Sequence, residues 1–256
     1  MSSPLGSSAD QSDPFAPTHW SVILAAGQSD SDPARARLAL EQLCQTYWTP
    51  LYTFVRSRGF SVHDAQDLTQ GFFAHLIENE IYTRVDRERG KFRSFLLASL
   101  KNFMANAYAY SNTLKRGGGQ EVLPLEEGRV EAAESLFQTH SASKEPNNED
   151  QLFERSWAEA LIQTSLERLA AEYQSDGKED LFRQLRPFLT GGPTPLPTYH
   201  QLAEQTGLPA PTLRSHVTRL RKRYREMLRA EVRQTVKTES EVDEELHELF
   251  RVLTRG

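Results

Sequence analysis

Apolar residues recur at spacings of three and four along most of the chain, the period of an amphipathic helix. No stretch alternates with the period of two that a half-buried strand requires. Val122 to Leu125 is the only short run with strand character, and Pro124 inside it removes a ladder donor. The pattern predicts a first helical block over residues 18–110. Trp20, Ile23 and Leu24 mark a short opening helix. Leu40, Leu43, Tyr47, Leu51 and Phe54 mark a longer one, which Pro50 should kink or split. Ser61 followed by Asp64 is a helix-start pair. After it Ala65, Leu68, Phe72 and Leu76 share one face, and Asp64, Asp67, Gln70 and Gly71 another. A third helix follows the charged turn Asp86 to Gly90. Phe92, Leu96, Leu100, Phe103 and Ala107 line its inner side, with Lys101 and Asn102 opposite, between the small residues Ala98 and Ala105.

Over residues 111–150 the periodicity dissolves. The triplet Gly117-Gly118-Gly119, the acidic Glu126, Glu127, Glu131 and Glu134, and the polar run from His140 to Asp150 predict a flexible acidic linker, transiently helical from Glu131 to Phe137. A second helical block spans residues 151–233. Phe153, Trp157, Leu161 and Leu169 belong to its first helix, and Leu181, Leu185 and Phe188 to its second. Gly191, Gly192, Pro193, Pro195 and Pro197 form a hinge before two further helices. Residues 234–256 predict an acidic amphipathic extension with Leu246, Leu249, Phe250 and Leu253 inward. The Ser-, Asp- and Pro-rich residues 1–17 predict a disordered tail.

Composition narrows the class. The 256 residues are 38% hydrophobic and 25% charged, as in a soluble globular chain. No apolar run approaches the roughly 20 residues of a membrane helix, and the N-terminus has no secretory pattern. A cytoplasmic protein is expected. The single cysteine, Cys44, sits in an apolar stretch and reads as a buried core thiol in a reducing compartment. A net charge of −5 speaks against nucleic-acid binding until its distribution is considered. Arg214, Arg219, Arg221, Lys222, Arg223, Arg225, Arg229 and Arg233 crowd one segment, opposed only by Glu226 and Glu231. The sign then reverses with Glu239, Glu241, Asp243, Glu244, Glu245 and Glu248.

The most specific motif runs from Tyr199 to Val217. Ala203 is small where a second helix must cross closely. Gly207 supplies the positive φ that ends a helix, Leu208 plugs the gap, and Pro211 suits a first turn. Leu213, Val217, Leu220, Tyr224 and Leu228 give the following helix a core stripe. These features describe a helix-turn-helix rather than an ordinary helix with a solvated basic face. Thr212, Arg214, Ser215, His216, Thr218 and Arg219 then fall where a recognition helix meets the major groove. Arg221, Lys222 and Arg223, with Arg225, are placed for phosphates, which supply affinity without sequence information.

This motif with Val217-Thr218-Arg219-Leu220-Arg221 resembles region four of extracytoplasmic-function sigma factors. The segment from Asp64 to Phe73 (Asp-Ala-Gln-Asp-Leu-Thr-Gln-Gly-Phe-Phe) resembles the family's Asp-Ala-Glu-Asp-Leu-Val-Gln-Glu-x-Phe in region two. Phe92-Arg93-Ser94-Phe95-Leu96 is similar to its Phe-Arg-Thr-Trp-Leu, and Lys101-Asn102 to an Arg-Asn pair. The two blocks cover about two-thirds of the chain, in the family's order. Trp20 to Ala26 and Leu114 to Gly119 are similar to the subgroup abundant in planctomycete-type bacteria. Gly71, Phe95 and Asn106 depart from the family's usual Glu, Trp and Asp, and Gly71 thereby removes a charge from the expected polymerase-facing surface.

The resemblance implies an all-α protein of two small helical domains, sigma regions two and four, joined by the linker. It implies that Asp64, Asp67, Gln70 and Phe72 bind the largest-subunit clamp of core RNA polymerase, with the flap region near the second domain. Arg93, Lys101, Asn102 and Asn106 would hold the melted promoter element, and the helix-turn-helix the upstream duplex. The acidic linker would thread toward the polymerase's active-site and RNA-exit channels. An anti-sigma factor, or the chain's own C-terminal extension, is a further expected partner, the extension by folding its acidic face back on the basic helix. No cofactor, metal, membrane or small-molecule substrate is expected, and no catalysis. Alternatives are a helix-turn-helix regulator that does not bind polymerase, a protein that sequesters a sigma factor or polymerase, and a metal-dependent nuclease using Asp64, Asp67 and Glu78. The nuclease lacks a third convergent ligand, and the seven histidines show no zinc spacing.

Overall fold

The computed structural model describes residues 33–79, 91–114, 128–142, 148–190 and 196–254, and ten helices run through them. No strand occurs among the described residues, so the fold class is all-α. The expected N-terminal tail, the Trp20 helix, the Val122 run, the turn at Asp86, the glycine triplet and the hinge from Gly191 to Pro195 lie outside the described residues.

α1 (Pro33–Ser57) begins on a proline, which suits a first turn where the missing N–H has no partner to lose. Pro50 does not split it. The proline costs about 3 kcal/mol in a helix interior, but Tyr47, Trp48, Leu51, Tyr52 and Phe54 around it are all fully buried. Each stabilises by about 1.5–3 kcal/mol. α2 (Val62–Glu78) starts at Ser61, whose hydroxyl accepts from the Asp64 N–H at 3.1 Å. α3 (Phe92–Leu114) buries Phe92, Leu96, Leu100 and Phe103, and the aromatic rings interlock: Phe72 meets Phe103 edge-on at 5.8 Å and Tyr47 meets Phe92 at 5.1 Å. These phenylalanines are core.

The expected linker is corrected over residues 129–142, which form a packed helix, α4 (Arg129–Ala142). Its apolar stripe is too thin to read from periodicity, and polar contacts hold it to α1. Ala133 is fully buried. Glu134 receives Arg56 Nε and Nη2, both at 2.8 Å, and the Tyr52 hydroxyl at 2.7 Å. Arg56 also lies over the Phe137 ring at 4.6 Å.

α5 (Glu149–Ser175) opens on a capping box between Asn148 and Gln151. It is followed by α6 (Glu179–Leu185), α7 (Pro187–Thr190), α8 (Tyr199–Thr206), α9 (Ala210–Thr235) and α10 (Ser240–Thr254). The described core divides at a place the periodicity did not indicate. Phe153, Trp157, Ala158 and Leu161 of α5, Leu228 and Val232 of α9, and Val242 and Leu249 of α10 share one apolar cluster with α1, α2 and α3. Leu169, Phe182, Leu185, Leu202, Leu213, Val217 and Leu220 form a second. α5 and α9 therefore run through both clusters, and the expected boundary at residue 151 does not separate the cores. The Trp157 indole N–H donates to the Tyr47 hydroxyl at 3.1 Å, and the Ser156 hydroxyl donates to Thr53 at 3.3 Å, so the buried polar groups fix α5 on α1.

Candidate nucleic-acid interface

α8 and α9 are joined by Gly207-Leu208-Pro209. Thr198 caps α8 with Gln201, and Gly207 ends it at φ 70°, the left-handed conformation the turn requires. Leu202, Leu213, Val217 and Leu220 are buried between the two helices and α5 to α6, with Ala203 and Leu208 partly buried against them. Pro211 lies in the first turn of α9. The helix-turn-helix geometry expected from the motif is present.

The outward side of α9 exposes Arg214, Ser215, Thr218 and Arg219, while Thr212 and His216 are half-buried at its edge. Arg214 lies over the Tyr199 ring at 5.5 Å, and Tyr199 stacks on Phe188 at 5.5 Å. Ser215 and Thr218 hydroxyls turn back to the carbonyls of Pro211 and Arg214, at 3.2 and 3.0 Å. Burial, Arg219 and Lys178 all push the His216 imidazole below its ordinary value, so near neutral pH it is uncharged and offers one donor and one acceptor.

The three expected phosphate contacts differ. Arg221 donates to the Phe188 carbonyl at 3.4 and 3.2 Å, and Arg223 is paired with Glu172 at 2.9 Å. Lys222 has only a loose pairing with Glu226 at 3.8 Å. Lys178, in the turn between α5 and α6, is an additional cation close enough to act on His216 and Arg219, and it is itself paired with Asp176 at 2.8 Å. Sequence reasoning missed it because it lies far from the motif in the chain; no local signal announces it.

A second surface lies on α3. Asn102 and Asn106 are exposed, while Lys101 is partly buried over the Phe54 ring at 5.6 Å and pairs with Asp150 at 2.7 Å. Arg93 is corrected: it does not join this surface. It is 6% exposed, pairs with Glu154 at 3.0 Å and with Glu245, and lies over Trp157 at 4.2 Å. The helical period accounts for this, since positions 93, 97 and 100 share a face and Leu97 and Leu100 are both buried.

On α2, Asp64 and Asp67 are exposed and Gln70 is half-buried. Phe72 is corrected: it is fully buried and cannot meet a partner. Gly71 is buried as well, and a Cβ there would lie 3.8 Å from the Phe103 ring. Position 71 faces inward, toward Phe103, and not onto the outer surface expected for it. His63 stands 3.8 Å from Asp67.

Elsewhere, a cleft of about 620 Å³ opens between α1, α4 and α5, lined by Gln45, Thr49, Arg129, Glu159, Gln163 and Glu167 among others, and none of the expected DNA-facing residues is on its wall. Cys44 is buried, which raises its thiol well above the ordinary value. Among the described residues no group of three His, Cys, Asp or Glu side chains is placed to hold a metal ion. No described helix is long and apolar enough to cross a membrane. No family model, curated protein or solved structure matches this chain.

Proposed function

We propose that this chain is a sigma factor of the extracytoplasmic-function kind, which binds core RNA polymerase and directs it to promoters. The observation that carries the reading is the helix-turn-helix: a left-handed Gly207 between α8 and α9, with Leu213 and Val217 buried and Arg214, Ser215 and Arg219 exposed. That arrangement suits an upstream duplex element. Arg214 and Arg219 have the reach for guanine edges, and Lys222 the charge for phosphates.

A helix-turn-helix alone does not select this family. The resemblance of the Asp64 and Phe92 segments to region two adds the polymerase. In this reading Asp64 and Asp67 dock on the clamp. Asn102 and Asn106 present amides to unpaired bases, with Lys101 tracking the strand. Most of the affinity then comes from the assembly, because two weak DNA sites held on one polymerase act through effective concentration. A net charge of −5 is compatible with that division.

Promoter-dependent transcription by purified core polymerase plus this protein tests the proposal. New start sites that require the protein are expected. Their absence with the core enzyme of the source organism overturns it. Duplex binding without transcription leaves the conventional helix-turn-helix regulator, and inhibition of initiation by another sigma factor leaves the sequestering protein.

A further inference from the structure

α5 is one uninterrupted helix of 27 residues without proline or glycine, and each of its ends holds a candidate DNA surface through charge. At its start Asp150 holds Lys101 of α3 at 2.7 Å, and Glu149 holds Arg58 at 2.7 Å. Both cations lie against the Phe54 ring, at 5.6 and 5.3 Å, so they stand together at the edge of the α3 surface that exposes Asn102 and Asn106. Near its end Glu172 holds Arg223 of α9 at 2.9 Å. Ser215, Arg219, Lys222 and Arg223 share about a third of the circumference of α9, and all four are exposed.

The two attachments fall on one side of α5. Asp150 and Glu172 are about six helical turns apart, which brings them back to within about 40° of the same face and separates them by about 33 Å along the axis. One turn of duplex DNA measures about 34–36 Å, the distance at which helix-turn-helix dimers read two half-sites. Here a single chain supplies it.

That separation is held firmly. The Trp157 bond to Tyr47 and the Ser156 bond to Thr53 pin the front of α5 on α1. Leu228 and Val232 of α9 lie in the first apolar cluster, and Leu213, Val217 and Leu220 in the second, so α9 packs along α5 through both. α10 adds to the same body. Its Glu245 pairs with Arg93, which holds Glu154 at 3.0 Å, a charged joint between α3, α5 and α10. Val242 and Leu249 are fully buried and Leu246, Val252 and Leu253 pack partly buried beside them, whereas Phe250, expected inward, is 52% exposed. The acidic residues of this end pair with the rear of α9, Glu239 with Arg229 at 3.0 Å and with Arg233 at 2.7 Å, and Asp243 with Arg229. Arg214, Ser215 and Arg219 stay exposed, so the C-terminal extension does not cover the recognition face.

The attachments yield readily to a phosphate. Both members of each of the three pairs are a third or more exposed, and exposed ion pairs add little stability. A phosphate takes the cation from its carboxylate at small cost, and the Asn102 and Asn106 amides are phosphate donors as well. Two weak contacts fixed on one body bind together through effective concentration.

We infer that the free chain presents one face to closed duplex DNA, with Arg58, Lys101, Asn102 and Asn106 at one end and Arg219, Lys222 and Arg223 at the other, held about one duplex turn apart by α5. This rests on the helix-turn-helix part of the proposed function and not on its polymerase part. The test uses the full chain and a duplex of about 30 base pairs that the chain itself enriches from a random-sequence pool at low salt. Hydroxyl-radical footprinting is expected to show two protected windows on one side of the duplex, about 10 base pairs apart. Asn102→Glu/Asn106→Glu, at exposed positions that leave the core untouched, should erase one window and lower affinity at least fivefold in fluorescence anisotropy. Arg219→Glu should erase the other. A single window, windows at another separation, or unchanged affinity in the double variant overturns the shared face and leaves the helix-turn-helix standing. A chain that enriches no duplex overturns the shared face too, and transcription with core polymerase still decides the sigma-factor reading by itself.

Discussion

Replacing Arg93 by alanine separates a structural role from a DNA-contacting one. The side chain is 7% exposed and its partner Glu245 is 2% exposed. Removing the guanidinium leaves the buried Glu245 and the half-buried Glu154 without their shared cation. Breaking a buried pair in this way costs about 3–5 kcal/mol. Lys91 stays 3.1 Å from Glu245 and compensates in part, so the lower end, about 3 kcal/mol, is expected. At a urea dependence of about 3 kcal/mol per molar, the midpoint shifts down by about 1 M. Tryptophan fluorescence follows this directly, because Trp48 and Trp157 are both fully buried in the affected cluster. The double variant Arg93→Met/Glu245→Leu should recover much of the loss, since it removes the stranded charge. If Arg93→Ala leaves the midpoint within about 0.2 M, a shift worth about 0.5 kcal/mol and typical of a surface substitution, the joint is not structural and the reasoning fails.

Four further outcomes are expected. Arg56, burial and the Tyr52 hydroxyl act on Glu134, whose carboxyl is held down to about 2, chiefly by Arg56. A depressed carboxylate stabilises above its unfolded value, near 4.5, and the contribution disappears as pH falls toward 2. The stability gap between wild type and Glu134→Gln should therefore close over that window in acid titrations of the melting temperature. Using the difference cancels Glu154 and Glu231, which burial shifts upward and which act with the opposite sign. Gly207→Ala should cost about 1–2 kcal/mol from left-handed strain alone, because an added Cβ meets nothing within 4 Å; a cost near zero in chemical denaturation would show that the turn relaxes. Phe72→Ala should cost about 3–5 kcal/mol, whereas Asp64→Asn should stay within about 0.5 kcal/mol yet weaken binding to core polymerase in a pull-down. Arg214→Ala or Arg219→Ala should cost about 1–3 kcal/mol of duplex affinity with relaxed base preference, while Lys222→Ala should lower the salt slope by about 1 and weaken all duplexes alike; a uniform effect for Arg214→Ala would move it to the phosphates.

The helices and the turn were legible because their signals are local. Ser61 with Asp64, and Gly207, each act within four residues, and the stripes of α3 and α9 repeat at the period of the helix itself. α4 was not legible, since its place on α1 rests on Arg56 and Tyr52 reaching a carboxylate some 80 positions away. Phe72 and Arg93 misled for a related reason. Motif similarity places a residue in a segment, but the helical period decides its face, and both residues fall on the buried side.

By itself the chain determined an all-α fold, the helix-turn-helix and the exposed cationic face of its second helix, because capping, φ preference and periodic burial need only near neighbours. Tertiary structure decided which cations remain available. Arg223 is committed to Glu172, Arg229 to Glu239 and Asp243, and Arg93 to Glu154 and Glu245. It also decided where the cores divide and that the acidic C-terminus closes on α9. Charge pairing and burial between distant segments depend on which surfaces meet, and no local pattern of residues specifies that.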